Sequence, residues 1–173
     1  SVFEDRGGVI WIGTQVGVNT WNPLLSAFAT YSTPAGEHGG LTNNWISSFA
    51  EGVDGEVFVG TAGGGVNQLD LSSGEIRAFG PDNGSGKEKD KDNGAGGLKD
   101  PRVFALAFSP EGELWAGTRA GGLHRYRAER ADWENFHHDP EDPESISLDA
   151  ITSLMFDSKG SLWIGTYGGG LNR

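Results

Sequence analysis

Three stretches of this chain hold residue types that could do chemistry, and each departs from the spacing its chemistry needs. Gly86-Lys87 resembles the end of a phosphate-binding loop. There Glu88 stands where Ser or Thr would hold magnesium, and Pro81 takes the first glycine position. Asp90, Asp92 and Asn93-Gly94 resemble a calcium loop, but Gly94 falls at the third ligand position and Pro101 where the terminal Glu belongs. His137-His138 with Asp139 could hold a metal. Adjacent histidines at a strand end point to opposite faces, so a shared ion is awkward, and a solvated turn is the favoured reading. His38 and His124 are isolated. Asp139, Glu141, Asp142 and Glu144, interleaved with proline, read as a rigid connector. No Ser-His-Asp set or carboxylate pair has a spacing that specifies catalysis. The expectation is no catalytic residue, no metal and no cofactor.

The elements that would position any site are set by a repeat. VIWIGTQVGVNTW, VFVGTAGGGVNQL, LWAGTRAGGLHRY and LWIGTYGGGLNR are four copies of one phrase. Aligned on the aromatic before Gly-Thr (Trp11, Phe58, Trp115, Trp163), the spacings are 47, 57 and 48 residues. Upstream the copies align without gaps as SVFEDRGGVIW, SFAEGVDGEVF, ALAFSPEGELW and SLMFDSKGSLW. Further on, large apolar residues recur three apart: Phe28/Tyr31, Ile76/Phe79 and Trp133/Phe136.

Each copy therefore reads as four short strands, a to d. Strand a precedes an Asp-x-x-Gly type of reversal, in which Asp bonds its own backbone and Gly accepts positive φ. Strand b is LWIGT, a glycine-rich turn follows, strand c begins at LNR, and strand d holds the spaced pair. No run of about ten residues has a 3.6 period, so helix is not expected. Apolar residues in strands a and b are nearly continuous, as in a sheet covered on both faces. Such units stacked face to face are the blades of a β-propeller. The expected fold is all-β, a propeller fragment of about four four-stranded blades with the last incomplete. Blade one covers about 1–32, blade two about 45–80, blade three about 102–138, and blade four runs from about 150. Residues 81–97 form a flexible loop insertion of mixed charge and glycine. Nothing supplies a last outer strand, so the chain reads as part of a longer array, with a self-contained four-blade ring as the less favoured alternative.

Composition narrows the partners. The 173 residues carry a formal net charge of -11, the wrong sign for nucleic acid or an anionic membrane. There is no Cys, hence no disulfide and no thiolate site. No apolar run approaches the roughly 18 residues of a membrane span, and no signal peptide is visible.

The phrase D-x-x-G-x-LWIGT-x-GGGLNR closely resembles the two-component regulator propeller repeat. Phe136 to Leu154, with its Asp-Pro pairs, is similar to the phrase between blades in that family. Phe58 in place of Trp and the turn of blade one, one residue short, depart from the pattern without threatening the fold. The resemblance implies the extracytoplasmic, periplasmic part of an inner-membrane protein, mostly a hybrid sensor histidine kinase. That part binds a small molecule or carbohydrate. The remaining blades and the kinase would be further parts of the same polypeptide, with a homodimer as a further expected partner state. No enzyme activity is expected of the 173 residues themselves. The alternatives from other classes are a propeller enzyme, such as a lyase or glycosidase, and a protein-interaction scaffold.

The copies also separate scaffold from site. Positions kept in every blade serve packing and turns, whereas varying rim positions can serve a ligand. In a propeller the b–c turns and the d–a connections share one rim. One varying position follows Gly-Thr: Gln15, Ala62, Arg119, Tyr167. Another precedes strand a: Trp45, Arg102, Ala150, with Asn44 and Asp149 one residue earlier. The candidate ligand residues are Gln15, Asn44, Trp45, Arg102, Arg119, Asp149 and Tyr167. Trp and Tyr can stack on sugar rings, and Arg and Asn can fork hydrogen bonds to hydroxyls or carboxylates. The repeated Trp11, Trp115 and Trp163 read instead as packing between blades. Asn67 and Asn172 read as turn-orienting, and the repeated Thr as bonding backbone or a neighbouring blade.

Overall fold

The computed structural model describes residues 1–22, 27–33, 40–79 and 97–173. The insertion at 81–97 thus lies, apart from Gly97, outside the described residues, and so does His38. Four antiparallel sheets follow one another along the chain. The first contains β1 (Val2–Glu4), β2 (Ile10–Thr14), β3 (Gly17–Asn22) and β4 (Ala27–Tyr31). The second contains β5 (Ile46–Glu51), β6 (Val57–Thr61), β7 (Gly65–Leu69) and β8 (Ile76–Phe79). The third contains β9 (Val103–Phe108), β10 (Leu114–Thr118), β11 (Leu123–Arg127) and β12 (Asp132–Phe136). The last contains β13 (Ile151–Phe156), β14 (Leu162–Thr166) and β15 (Gly170–Asn172). Each sheet is an up-and-down meander in sequence order, and no described residue is helical. This is an all-β propeller fragment.

The a–b reversal works as the residue types dictate. Asp5 Oδ1 accepts the backbone N–H groups of Gly7 and Val9 at 2.9 and 3.0 Å, and Asp5 Oδ2 accepts the Trp11 indole N–H at 2.8 Å. Asp157 does the same with Lys159, Ser161 and Trp163, each at 2.9 Å. The Trp163 indole, followed by the Ser161 backbone, holds the Asp157 carboxyl below the usual carboxylate value. The glycines that close these turns, Gly8, Gly55, Gly112 and Gly160, have φ of 77°, 85°, 87° and 79°, a conformation that strains other residues.

The two middle blades show why Asp and Trp go together. Blade two has Gly52 and Phe58 at these positions, so no indole N–H needs an acceptor. Blade three has Ser109 with Trp115. Ser109 Oγ accepts Glu111 and Glu113 N–H at 3.2 Å but does not reach the indole, which stays buried without an acceptor. An unmet buried donor costs about 1–3 kcal/mol. Ser109→Asp should therefore raise stability by about 1 kcal/mol, part of the gain being offset by the acidic neighbours Glu111 and Glu113. A urea midpoint below that of the parent chain would refute this account.

Packing between blades uses the repeated aromatics. Within each of the first three blades the strand-b ring meets a strand-d ring: Trp11–Tyr31 at 6.2 Å, Phe58–Phe79 at 4.9 Å, Trp115–Phe136 at 5.7 Å. Each then meets a ring from strand a of the next blade: Phe49 at 6.5 Å, Phe108 at 5.1 Å and Phe156 at 6.2 Å. Trp11, fully enclosed, and Trp115 thus pack between blades, whereas Trp163 is half-buried and meets Asp157 and Arg173 of its own blade. The three hydrophobic clusters lie between successive blades. Strands a of neighbouring blades pack side by side, β5 with β9 and β9 with β13.

Candidate functional site

The rim is assembled by the backbone before any variable side chain is considered. Each repeated Thr hydroxyl donates to a carbonyl in its own b–c turn: Thr14 to Gly17, Thr61 to Gly65, Thr118 to Gly122 and Thr166 to Gly170, all within 2.9–3.0 Å. The N–H of the residue after Gly-Thr then donates to the carbonyl of the residue preceding strand a of the same blade. These bonds are Ala62 to Trp45 (2.9 Å), Arg119 to Arg102 (2.9 Å) and Tyr167 to Ala150 (2.8 Å). The two varying positions of each blade are therefore neighbours, held by fixed backbone. The rim also crosses between blades, where Gly65 N–H donates to Pro101 O and Gly122 N–H to Asp149 O.

Strand c fastens the connection into its own blade. Asn67 Oδ1 accepts Thr42 N–H at 3.0 Å, and its Nδ2 donates to Thr42 Oγ1 at 2.8 Å. Asn172 makes the same pair of bonds with Ser147, each at 2.9 Å. The equivalent residue of blade three is His124, whose Nε2 accepts Lys99 N–H at 3.1 Å. The asparagines orient turns, as their repetition implied.

The seven candidate residues separate into groups. Asn44 Oδ1 accepts Thr33 N–H at 2.7 Å and Asp149 Oδ1 accepts His138 N–H at 2.6 Å, equivalent bonds that tie the end of strand d to the next blade. Arg102 forks onto Asp100 at 2.7 and 2.8 Å. Burial alone would push the Asp100 carboxyl up, but the Arg102 hydrogen bonds and charge hold it below the usual value. Gln15 and Trp45 are exposed on the rim, outside the pocket described next.

Arg119 and Tyr167 are brought together. They line one pocket of about 370 Å³ between blades three and four, with Phe104, Ala150, Ile151 and Thr152. That volume lies at the lower end of small-molecule sites, which run from about 300 to 1,000 Å³. Phe104 and Thr152 were not among the sequence candidates. They occupy the bulged position of strand a, where the register with strand b shifts by one residue. In blade two that position is Ser47, whose hydroxyl donates to Gly60 O at 2.9 Å, and Thr152 donates likewise to Gly165 O at 3.1 Å. Phe104 has no hydroxyl to donate and instead walls the pocket. The same comparison of copies, applied to Ser47, Phe104 and Thr152, would have singled it out.

Elsewhere, His138 Nδ1 lies 2.8 Å from Ile146 O, and among the described residues no three His, Cys, Asp or Glu side chains are grouped to hold a metal ion. His124, on β11, is fully enclosed.

Residues 145–168, spanning the connection into blade four and its first two strands, match the family model described as Two component regulator propeller. The fourth blade carries a two-component regulator propeller repeat. The chain is also similar in fold to solved structures. The extracellular domain of a hybrid two component system from B. thetaiotaomicron aligns with TM-score 0.74 at 23% identity, over 95% of this chain and 20% of that one. The extracellular domain of a one component system from the same organism gives 0.71 at 16% identity, over 96% and 22%. Virginiamycin B lyase from Staphylococcus aureus gives 0.60 at 13%, over 99% and 53%. At these identities the likeness is one of fold. The chain spans about a fifth of the length of the two B. thetaiotaomicron domains. No curated protein matches it.

Proposed function

We propose that this chain is part of a ligand-sensing propeller, outside the cytoplasm, of a membrane-bound two-component regulator. Its ligand is a small molecule or carbohydrate, bound at the rim pocket between blades three and four. The observation that carries this reading is the make-up of that pocket. Arg119, Tyr167 and Phe104 are individual to their blades, while the positions around them are kept for packing. The backbones of Arg119 and Tyr167 are pinned to Arg102 and Ala150, so these two side chains project from a preorganised frame. Both walls come from different blades, so a ligand bridging them favours one relative blade arrangement. Such differential affinity is what a receptor needs to bias a kinase, here one beyond these 173 residues.

The test is a titration of the chain with mono- and disaccharides, neutral and acidic, followed by backbone amide NMR. Shifts should cluster at Phe104, Arg119, Thr152 and Tyr167. Tyr167→Ala should weaken binding about tenfold, the loss of about 1.4 kcal/mol of stacking. Shifts clustering instead at the opposite rim, around the turns closed by Gly112 and Gly160, would remove the pocket from the proposal.

A further inference from the structure

Seven arginines of this chain have partners. Arg6 pairs with Glu51, Arg77 donates to Gln68, and Arg102 forks onto Asp100. Arg125 pairs with Glu134, Arg127 and Arg130 with Asp132, and Arg173 lies over the Trp163 ring. Arg119 is the exception. Among the described residues no carboxylate or ring meets its guanidinium, although the chain carries 24 Asp and Glu. An unpaired arginine in open water needs no explanation. This one, although exposed, lines a pocket with Phe104 and Tyr167, and Tyr167 is 79% exposed. A large aromatic left this exposed, beside a guanidinium that no described carboxylate meets, offers an apolar face and a planar fork of donors at one place.

We infer that the ligand of this pocket is a ring compound bearing a carboxylate. The inference rests on the reading of the pocket as the ligand site. The carboxylate takes the Arg119 fork in two parallel N–H···O bonds, the geometry for which guanidinium is better suited than any other side chain. The ring lies against the aromatic wall. Thr152, at the pocket edge, supplies a hydroxyl oxygen for a ring hydroxyl. The charge of the whole chain, -11, disfavours anions on most of its surface, and among the described residues lining the pocket Arg119 is the one cation that discriminates. A phosphate polymer is poorly served by a single arginine, since such binding recruits many cations.

The test compares galacturonate and glucuronate with their methyl esters and with galactose and glucose, rings that differ only at the carboxyl-bearing carbon. Binding is measured by amide NMR on the parent chain and on Arg119→Gln. The acids should bind about tenfold more tightly than the esters or neutral sugars, and their affinity should fall as salt is raised. Arg119→Gln should bring the acids to the level of the esters. Equal binding of acid and ester, with shifts at Phe104 and Tyr167, overturns the carboxylate inference alone. An acid preference that survives Arg119→Gln overturns it too. If no ring compound shifts Phe104, Thr152 or Tyr167, the pocket reading fails and the inference falls with it.

Discussion

Gly117→Ala should lower the stability of the chain by about 2–3 kcal/mol, one of the two largest effects expected of a single substitution here. The reason is a contact repeated at every junction between blades. The glycine of Gly-Thr faces the first residue of strand a in the next blade. A Cβ on Gly13 would lie 2.6 Å from Ile46 Cγ2, one on Gly60 would lie 3.0 Å from Val103 Cγ1, and one on Gly117 would lie 2.8 Å from Ile151 Cβ, with Ile151 Cγ2 closer still. Ile151 is fully enclosed and cannot swing away, because interiors are packed to crystal density. Relief must come from moving blade four away from blade three. The pocket spans that junction and is lined by Ile151, so ligand binding should weaken along with stability. Urea unfolding of Gly117→Ala, Ile151→Ala and the double variant checks this. The double variant should be more stable than the two losses added together, because removing Cγ2 takes away the nearest obstacle. Strict additivity would show that the two residues do not collide.

Acidification should destabilise the chain before its carboxylates titrate, and the cause should be His124. Its ring is fully enclosed, and burial, reinforced by the nearby Lys99 charge, pushes its pKa down to about 4. Lys99 N–H donates to Nε2, so the neutral ring carries its proton on Nδ1, which is buried without a partner. Protonating Nε2 would set two N–H groups against each other. Since the folded pKa is depressed, the unfolded chain binds the extra proton first. Stability is full above the unfolded value of about 6.5, falls by up to about 1.4 kcal/mol per pH unit, and levels off near the folded value, a loss of about 3 kcal/mol. Asp100, Asp132 and Asp157, also held below their usual value, add their losses only at lower pH. His124→Asn places here the residue that blades two and four use. It should flatten the profile between pH 6.5 and 4 and leave stability at pH 7 within about 1 kcal/mol. A slope that persists in this window would exonerate His124.

Much of the scaffold was legible because it is written four times. Repetition identified the reversals, the Gly-Thr strand and the aromatic packing without any knowledge of contacts. The bond from Asp5 to Trp11 and its copy from Asp157 to Trp163 follow from residues six apart in one hairpin. Individual roles were less legible. Asn44 and Asp149 vary in type and sit on the rim, which marked them as candidates. Both in fact hold a backbone N–H of the preceding strand d, a bond that either residue type can accept. Phe104 escaped notice because it lies inside an apolar strand and away from the turns, although the copies do vary there, with Ser47 and Thr152 at the same position.

By itself the sequence determined the unit and its count: strand lengths, turn chemistry, and which positions are common to all blades. Those are local properties, decided by residues a few positions apart. The tertiary structure decided which individual residues meet. Arg119 and Tyr167 are 48 residues apart and belong to different hairpins. They share a pocket only because a glycine lets blade four settle closely on blade three. Among the described residues, Arg119 meets no carboxylate of the kind that serves most other arginines. No periodicity records that outcome, because it depends on the angle between two sheets rather than on the order of residues in either.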